Sequence, residues 1–198
     1  PGIRVVVFMQ GCTLRCLYCH NPDTWTLDGN KDALDFTPEE LVNKISRFRS
    51  YFEKSGGGVT FSGGDPLKQP EFLKETLKLC KEAGIHTTLD TSGVGFGDYE
   101  EILKYTDLVL FDVKHLTAEG YKYMTGINID ESFEAGINIA KELFRVMKKG
   151  GVVVWVVGDK IKNGDRSLTS FKQCIYFQEV GFNVHDIMTV SYTHLRAH

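Results

Sequence analysis

The feature that most constrains the fold of this 198-residue chain is a regular alternation of strand and helix patterns. Short runs of β-branched and aromatic residues predict strands, and apolar residues three or four positions apart predict helices between them. The connections are only a few residues long, which favours parallel strands joined by right-handed helical crossovers. About six such units are predicted. They build either an open doubly wound sheet or a partial barrel, and periodicity alone does not decide between the two.

The boundaries of these elements follow from turn residues and helix caps. The predicted strands are 3–8, 58–62, 86–90, 108–113, 152–157 and 184–190, and the first is apolar enough to be buried on both faces. The predicted helices are 38–55, 70–84, 99–105, 133–149 and 168–180. Thr37 supplies the N-cap of the first, with Pro38 at its first position and Glu40 at its third. In both architectures, the working face lies at the carboxyl ends of the strands.

Composition excludes several classes of partner. The chain has 23 Lys and Arg against 26 Asp and Glu, with no basic block, so we expect no nucleic-acid or membrane-surface partner. Its longest apolar runs are strand-length, far short of the roughly 20 residues that span a membrane. No signal peptide heads the sequence, which starts with Pro1 and leads straight into a strand, so we interpret the N-terminus as truncated. We expect a cytoplasmic monomer.

The strongest chemical signal is a cluster of three cysteines just after the first predicted strand. Of five cysteines, Cys12, Cys16 and Cys19 lie in one short loop, whereas Cys80 and Cys174 lie on apolar helix faces as core thiols. Three thiolates can hold three corners of a four-iron, four-sulfur (4Fe–4S) cluster and leave the fourth iron open. The same thiolates with His20 make a possible zinc site. Spacing alone favours the cluster and leaves zinc open.

This segment resembles the radical S-adenosylmethionine (radical SAM) enzymes, whose motif has three cysteines at these gaps and an aromatic residue, here Tyr18, before the last. More narrowly, the chain is similar to the family of pyruvate formate-lyase activating enzymes. The similar segments are PGIR at 1–4, MQGCTLRCLYCHNPDTW at 9–25, SGGGVTFSGG at 55–64, GIHTTLDTSG at 84–93 and TDLVLFDVK at 106–114. The resemblance covers residues 1–157 and implies a partial parallel (β/α)6 barrel with a 4Fe–4S cluster.

The resemblance also implies roles for individual residues around S-adenosylmethionine. Gly64 contacts the amino acid end of the cofactor, beside Asp65, where the family usually carries Glu. Asp90, Thr91 and Asp112 help to hold a monovalent cation next to the cofactor's carboxylate. The residues expected to line the cofactor are Tyr18, Cys19, His20, Gly64, Asp65, Asp112, Val113 and Lys114. Beyond Val157 the sequence departs from the family, and we place neither the Arg nor the His that the family uses there; His194 has surroundings that do not fit.

The activity implied is reductive cleavage of S-adenosylmethionine to a 5′-deoxyadenosyl radical, with no side chain acting as general acid or base. This radical would take a backbone hydrogen atom from a glycine of pyruvate formate-lyase, with reduced flavodoxin or ferredoxin as electron donor. Two alternatives stay open: an activase of another glycyl radical enzyme, such as anaerobic ribonucleotide reductase, or a non-enzymatic zinc or redox carrier domain. We assign 1–190 to one radical SAM domain, expect truncation at the C-terminus also, and leave 191–198 as a disordered tail or non-native sequence.

Overall fold

The computed structural model describes residues 2–28, 30–112, 114–115, 118–128, 144–145, 161–162, 165–166 and 169–184. The chain separates into two compact units, Pro1–Glu134 and Ala135–His198. The predicted helix 133–149 (apart from residues 144 and 145), the predicted strand 152–157, residues 185–190 of the last predicted strand and the tail 191–198 lie outside the described residues. The assignment of 1–190 to one domain therefore stays a prediction.

The first unit is built on a parallel four-stranded sheet. Its strands are β1 (Arg4–Met9), β2 (Gly58–Gly63), β3 (His86–Thr91) and β4 (Leu108–Phe111), in the order β1-β2-β3-β4. Its helices are α1 (Pro38–Ser46), α2 (Arg49–Ser55), α3 (Pro70–Glu82), α4 (Tyr99–Lys104) and α5 (Ala118–Thr125). Arg4 pairs with Gly58, and Gly58 with His86, so the strands end at one edge of the sheet. The first four predicted strands are confirmed.

The first predicted helix has the expected start, but the prediction of one continuous helix is wrong. The side chain of Thr37 accepts a hydrogen bond from the Glu40 backbone, and the Glu40 carboxylate accepts one from the Thr37 backbone. At Phe48 the backbone leaves the helical region (φ −96°, ψ 7°), and its N–H reaches back three residues to Ile45. This tightened turn ends α1 and takes the Phe48 side chain to the surface, although it continues the apolar stripe.

One face of the sheet forms the core with helices α1 and α3. Val59 and Phe61 of β2 are fully buried against Leu73, Leu77 and Cys80 of α3. Each such aliphatic or aromatic side chain contributes roughly 1.5–3 kcal/mol through its burial. Burial raises the pKa of the Cys80 thiol to about 12, which is consistent with its predicted place in the core.

The opposite face of β1 is exposed, and the prediction that this strand is buried on both faces is wrong. Successive side chains of a strand point to opposite faces, and only Val5, Val7 and Met9 join the core. Val6 and Phe8 are 47% and 56% exposed. Among the strands that the structure describes, β1 lies at the edge of its sheet and contributes to the core through only one of its two faces.

The second unit contains a short antiparallel pair, β5 (Ile161–Lys162) and β6 (Asp165–Arg166), followed by α6 (Thr169–Val180). Helix α6 confirms the predicted helix 168–180, and its Cys174 is partly buried. The ring of Phe182 lies edge-on to Phe144, with 5.2 Å between the ring centroids. Within the part of the chain that the structure describes, no helix is both long and apolar enough to cross a membrane.

Candidate functional site

A cavity of about 320 Å³, here called the cysteine pocket, opens at the carboxyl ends of β1 to β4. The loop after each strand contributes to its wall, as expected for a parallel α/β fold. The predicted site residues that line it are Cys12, Cys16, Tyr18, Cys19, His20, Gly64, Asp65, Asp90, Thr91, Asp112 and Lys114. Val113 lies outside the described residues. The fold therefore gathers in one pocket residues that are widely separated in the sequence.

The backbone of the cysteine loop is tied down on two sides. On one side, the N–H groups of Gly11 and Cys12 donate to the carbonyls of Thr24 and Trp25, at 2.8 and 3.0 Å. On the other, the N–H groups of Arg15 and Leu17 donate to carbonyls at the end of α5, at 2.8 and 2.9 Å. Helix α5 was not predicted from the sequence, yet its last turn holds the loop.

The Arg15 side chain fixes the curvature of the same loop. Its guanidinium donates to the carbonyl oxygens of Cys12 and Leu14, both at 2.7 Å, and lies 5.1 Å from the centroid of the Trp25 ring. Arg15 thus links two backbone carbonyls of the loop. Its guanidinium lies over the aromatic ring of Trp25, which also lines the pocket.

The three thiols of the pocket are free, with Cys16 buried and Cys12 and Cys19 partly buried. Burial raises the pKa of both Cys12 and Cys16, and the positive charge of Lys114 opposes that rise. Within the described ranges, no three His, Cys, Asp or Glu side chains converge closely enough to hold a single metal ion. The thiols line a cavity that is larger than one ion requires.

Two buried hydroxyl groups beside the thiols have no hydrogen-bond partner among the described residues. They are Oη of Tyr121, on α5, and Oγ1 of Thr13, which follows Cys12. Tyr121 packs with Leu14 and Cys16 in a small apolar cluster of its own. Burial raises the pKa of Tyr121 to about 12, so its hydroxyl remains protonated near neutral pH. Unsatisfied buried donors next to free thiols fit a bound group that carries hydrogen-bond acceptors such as inorganic sulfide.

Asp65 organises the loops on the other side of the pocket. Its side chain is 2% exposed, and each carboxylate oxygen accepts two hydrogen bonds. Oδ1 accepts from the Leu67 N–H at 3.1 Å and the Thr91 hydroxyl at 2.7 Å, and Oδ2 accepts from the Ser92 N–H and hydroxyl at 3.0 and 2.6 Å. This carboxylate is saturated by the protein. No pattern in the sequence marks the contacts of Ser92.

Gly64 lets the second loop approach the cysteine loop. A Cβ at this position would lie 2.3 Å from the carbonyl oxygen of Gly11. The next residue, Asp65, donates its N–H to that same oxygen at 2.8 Å. Glycine at 64 is therefore required for close backbone packing at the edge of the pocket.

Two further carboxylates and one ammonium face the pocket. Burial raises the pKa of Asp90, and a hydrogen bond of 2.7 Å from the Ser62 hydroxyl partly opposes this. Asp112 is half exposed and pairs with Lys114, whose ammonium lies 5.7 Å from the centroid of the Tyr18 ring. Burial disfavours the charged Lys114, but the contact with Asp112 outweighs it, so the pKa of Lys114 is raised. The pocket thus combines carboxylates, the positively charged side chain of Lys114, an aromatic face and thiols.

Sequence comparison identifies a family that agrees with this set of thiols, carboxylates and a lysine in one pocket. The family model described as "Radical SAM superfamily" matches residues 6–166. This chain therefore belongs to the radical SAM superfamily, whose members use a 4Fe–4S cluster and S-adenosylmethionine. The predicted fold class, a partial parallel α/β barrel of this type, is confirmed by this match together with the four-stranded sheet.

Curated relatives point to one branch of the superfamily. The chain is 56% identical over 156 residues to the pyruvate formate-lyase-activating enzyme of Clostridium pasteurianum, covering 79% of this chain and 61% of that protein. It is 47% identical over 133 residues to the enzyme of the same name from Staphylococcus epidermidis, covering 64% and 52%. The predicted resemblance is confirmed. The chain spans between about half and three fifths of the length of these relatives.

Solved structures support the fold. Streptococcus suis SuiB bound to its precursor peptide SuiA matches with a TM-score of 0.53 and 17% identity, over 74% of this chain and 31% of SuiB. SuiB bound to S-adenosylmethionine matches with a TM-score of 0.50 and 17% identity, over 73% and 30%. At this level of identity, the likeness concerns the fold alone.

Proposed function

We propose that this chain activates pyruvate formate-lyase by generating a glycyl radical in it, using a 4Fe–4S cluster and S-adenosylmethionine. The observation that carries the proposal is that three free thiols and the carboxylates of three other loops line a single cavity. The similarity to pyruvate formate-lyase-activating enzymes supports the choice of partner. This makes the chain an oxidoreductase, and we place it in the cytoplasm as a monomer.

Cys12, Cys16 and Cys19 would hold the cluster through three of its irons. Lys114 favours the thiolate form of Cys12 and Cys16, since its charge opposes the pKa rise that burial causes at these two residues. Arg15 and the end of α5 keep the loop closed around the thiols. A rigid loop lowers the entropic cost of binding the cluster. The partly exposed Cys19 leaves the open side of the cavity accessible to a second ligand.

The remaining lining residues suit S-adenosylmethionine, which carries a sulfonium, an ammonium and a carboxylate. Asp90 and Asp112 would attract the cationic groups, and with Thr91 they would hold a monovalent cation beside the cofactor's carboxylate. The backbone of Gly64 would receive the amino acid end, because no side chain stands there. Tyr18 and His20 would lie against the adenine and the cluster, and Val113 and Lys114 would also line the cofactor. Asp65 would act by holding these loops, since its four acceptor sites are already in use.

The chain's own groups bind and orient the cofactors and shield them from water, while the cofactors supply the redox chemistry. When bound, the cluster and S-adenosylmethionine would supply one-electron reductive cleavage of the sulfonium's carbon–sulfur bond to methionine and a 5′-deoxyadenosyl radical, which would take the glycine Cα hydrogen. The buried Cys16 and the apolar cluster around it keep water away from this side of the pocket. A reduced flavodoxin or ferredoxin would supply the electron.

The test is direct observation of the glycyl radical. The chain is reconstituted anaerobically with iron and sulfide, then mixed with pyruvate formate-lyase, S-adenosylmethionine and dithionite, and the radical is quantified by electron paramagnetic resonance. We expect a glycyl radical signal that Cys16→Ala abolishes and that Cys174→Ala, the same change outside the pocket, preserves.

Two outcomes would overturn the assignment. A signal that survives Cys16→Ala would show that the cysteine pocket is not the source of the radical. A signal with anaerobic ribonucleotide reductase but none with pyruvate formate-lyase would assign the chain to a different partner.

A further inference from the structure

The hydroxyl of Tyr121 is a buried donor for which the described part of the protein offers no acceptor. Tyr121 is 4% exposed, and its Oη has no hydrogen bond in the described part of the chain. A buried hydroxyl without a partner costs about 1–3 kcal/mol. Native proteins rarely carry that cost without a ligand, water or function to account for it.

Tyr121 packs in a small buried cluster that includes residues of the cysteine loop. Tyr121, Leu14 and Cys16 form one buried cluster, against which Cys12 and Cys19 also pack. Tyr121 therefore packs against the thiol site, in a small cluster that is separate from the main core.

The ring of Tyr121 is held in place by the anchoring of α5 to the cysteine loop. Thr125, one helical turn later and fully buried, accepts the N–H of Arg15 on its carbonyl at 2.8 Å. The Thr125 hydroxyl in turn donates to the Tyr121 carbonyl at 2.7 Å. Because the helix end and the loop are joined in this way, the phenol stays beside the thiols.

We propose that the Tyr121 hydroxyl donates a hydrogen bond to a sulfur of the cluster bound in this pocket, and so raises the cluster's reduction potential. The proposal rests on the proposed function, since it requires the same cluster. A hydrogen bond to sulfur is stronger in the reduced cluster, which carries one more negative charge, and it therefore favours reduction. Tyr121 is thus a positioning and tuning residue for electron entry.

The test compares Tyr121→Phe with Tyr123→Phe. Both changes remove one phenolic hydroxyl from α5, but Tyr123 is 72% exposed and its hydroxyl faces solvent. The reconstituted proteins are titrated with reductant, and the reduced cluster is followed by electron paramagnetic resonance. We expect Tyr121→Phe to lower the equilibrium constant for reduction about three- to tenfold, where tenfold corresponds to 59 mV for one electron. Tyr123→Phe should match the unmodified chain.

A second measurement uses resonance Raman spectra of the cluster in H₂O and D₂O. When an O–H group donates a hydrogen bond to the cluster, deuteration shifts the iron–sulfur bands. Tyr121→Phe should reduce this shift, whereas Tyr123→Phe should leave it unchanged. An unchanged potential, or an unchanged deuterium shift, in Tyr121→Phe would overturn the proposal. If Tyr121→Phe lowers the reduction potential as expected but the unmodified chain forms no glycyl radical, only the proposed function is refuted. A chain that binds no cluster would refute both proposals.

The apoprotein gives a check that needs no cluster. Because the Tyr121 hydroxyl has no partner in the described part of the protein, Tyr121→Phe should leave the denaturation midpoint of the apoprotein unchanged or raise it. A clear fall relative to Tyr123→Phe would mean that another part of the protein accepts the hydrogen bond, and the proposal would fail.

Discussion

The replacement Asp65→Asn tests how the cysteine pocket is held together. Asp65 accepts four hydrogen bonds at a buried site. Asn has the same shape but only one acceptor oxygen. If that oxygen keeps the bonds from Leu67 and Thr91, the new amide NH₂ faces the N–H of Ser92. The Ser92 hydroxyl can rotate to accept, but its backbone donor cannot.

The expected cost follows from this count. One buried donor left without an acceptor costs about 1–3 kcal/mol, and the remaining bonds lose the contribution of a charged acceptor, so we expect a loss of about 2–4 kcal/mol. The matched control is Asp112→Asn, which changes a half-exposed carboxylate whose one partner among the described residues is Lys114 and should cost less, because it leaves no backbone donor unpaired.

The free energy of unfolding of both variants is measured by urea denaturation of the apoprotein, monitored by circular dichroism. The reasoning is refuted if Asp65→Asn is no more destabilising than Asp112→Asn. That result would mean that the four contacts of Asp65 are not maintained in solution, and that Asp65 is free to contact a ligand directly.

Three further predictions concern separate parts of the first unit. Gly64→Ala should reduce cluster content on reconstitution, because its Cβ would lie 2.3 Å from the Gly11 carbonyl oxygen. Arg15→Lys should accelerate iron loss to a chelator, since lysine cannot reproduce the paired bonds to two carbonyls. Asp107→Asn should destabilise the protein by about 1–3 kcal/mol at neutral pH and flatten its loss of stability below about pH 4. Burial opposes ionisation of Asp107, but bonds from Lys81 and Thr87 outweigh it and lower its pKa.

A carboxyl whose pKa is lower in the folded state stabilises the protein above its unfolded pKa, and this contribution is lost as the pH falls through the folded pKa. An acid-unfolding curve identical to that of the unmodified chain would contradict the prediction. Gly84→Ala adds a Cβ outside the pocket that meets nothing within 4 Å but strains a backbone with φ +69°, so it tests whether a local disturbance elsewhere lowers cluster content. Arg49→Lys, outside the pocket, should leave iron loss unchanged.

Local sequence patterns predicted the parts of the fold that local interactions determine. Strands β1 to β4 and helix α3 follow from runs and periodicities within a few residues, and the Thr37 cap from its own capping box. The break at Phe48 was missed because the apolar stripe continues through it, whereas the backbone does not. Helix α5 was missed because it is short and contains Gly120, a poor helix former.

The cysteine motif located the candidate site, but the sequence did not reveal what supports it. The spacing of Cys12, Cys16 and Cys19 predicted one loop around one group, and these residues line one cavity. Tyr121 and the Ser92 contacts of Asp65 depend on parts of the chain that meet only after folding. No periodicity or spacing marks such contacts, and an unpartnered hydroxyl is visible only when the surroundings are known.

The central claim is that three cysteines hold a 4Fe–4S cluster whose fourth iron is free to bind S-adenosylmethionine. It is tested most directly by Mössbauer spectroscopy of the chain reconstituted with ⁵⁷Fe, recorded with and without S-adenosylmethionine. The account predicts a four-iron cluster in which one iron in four changes its isomer shift when the cofactor is added. Four irons that do not respond to the cofactor, or a protein that takes up zinc and no cluster, would contradict it.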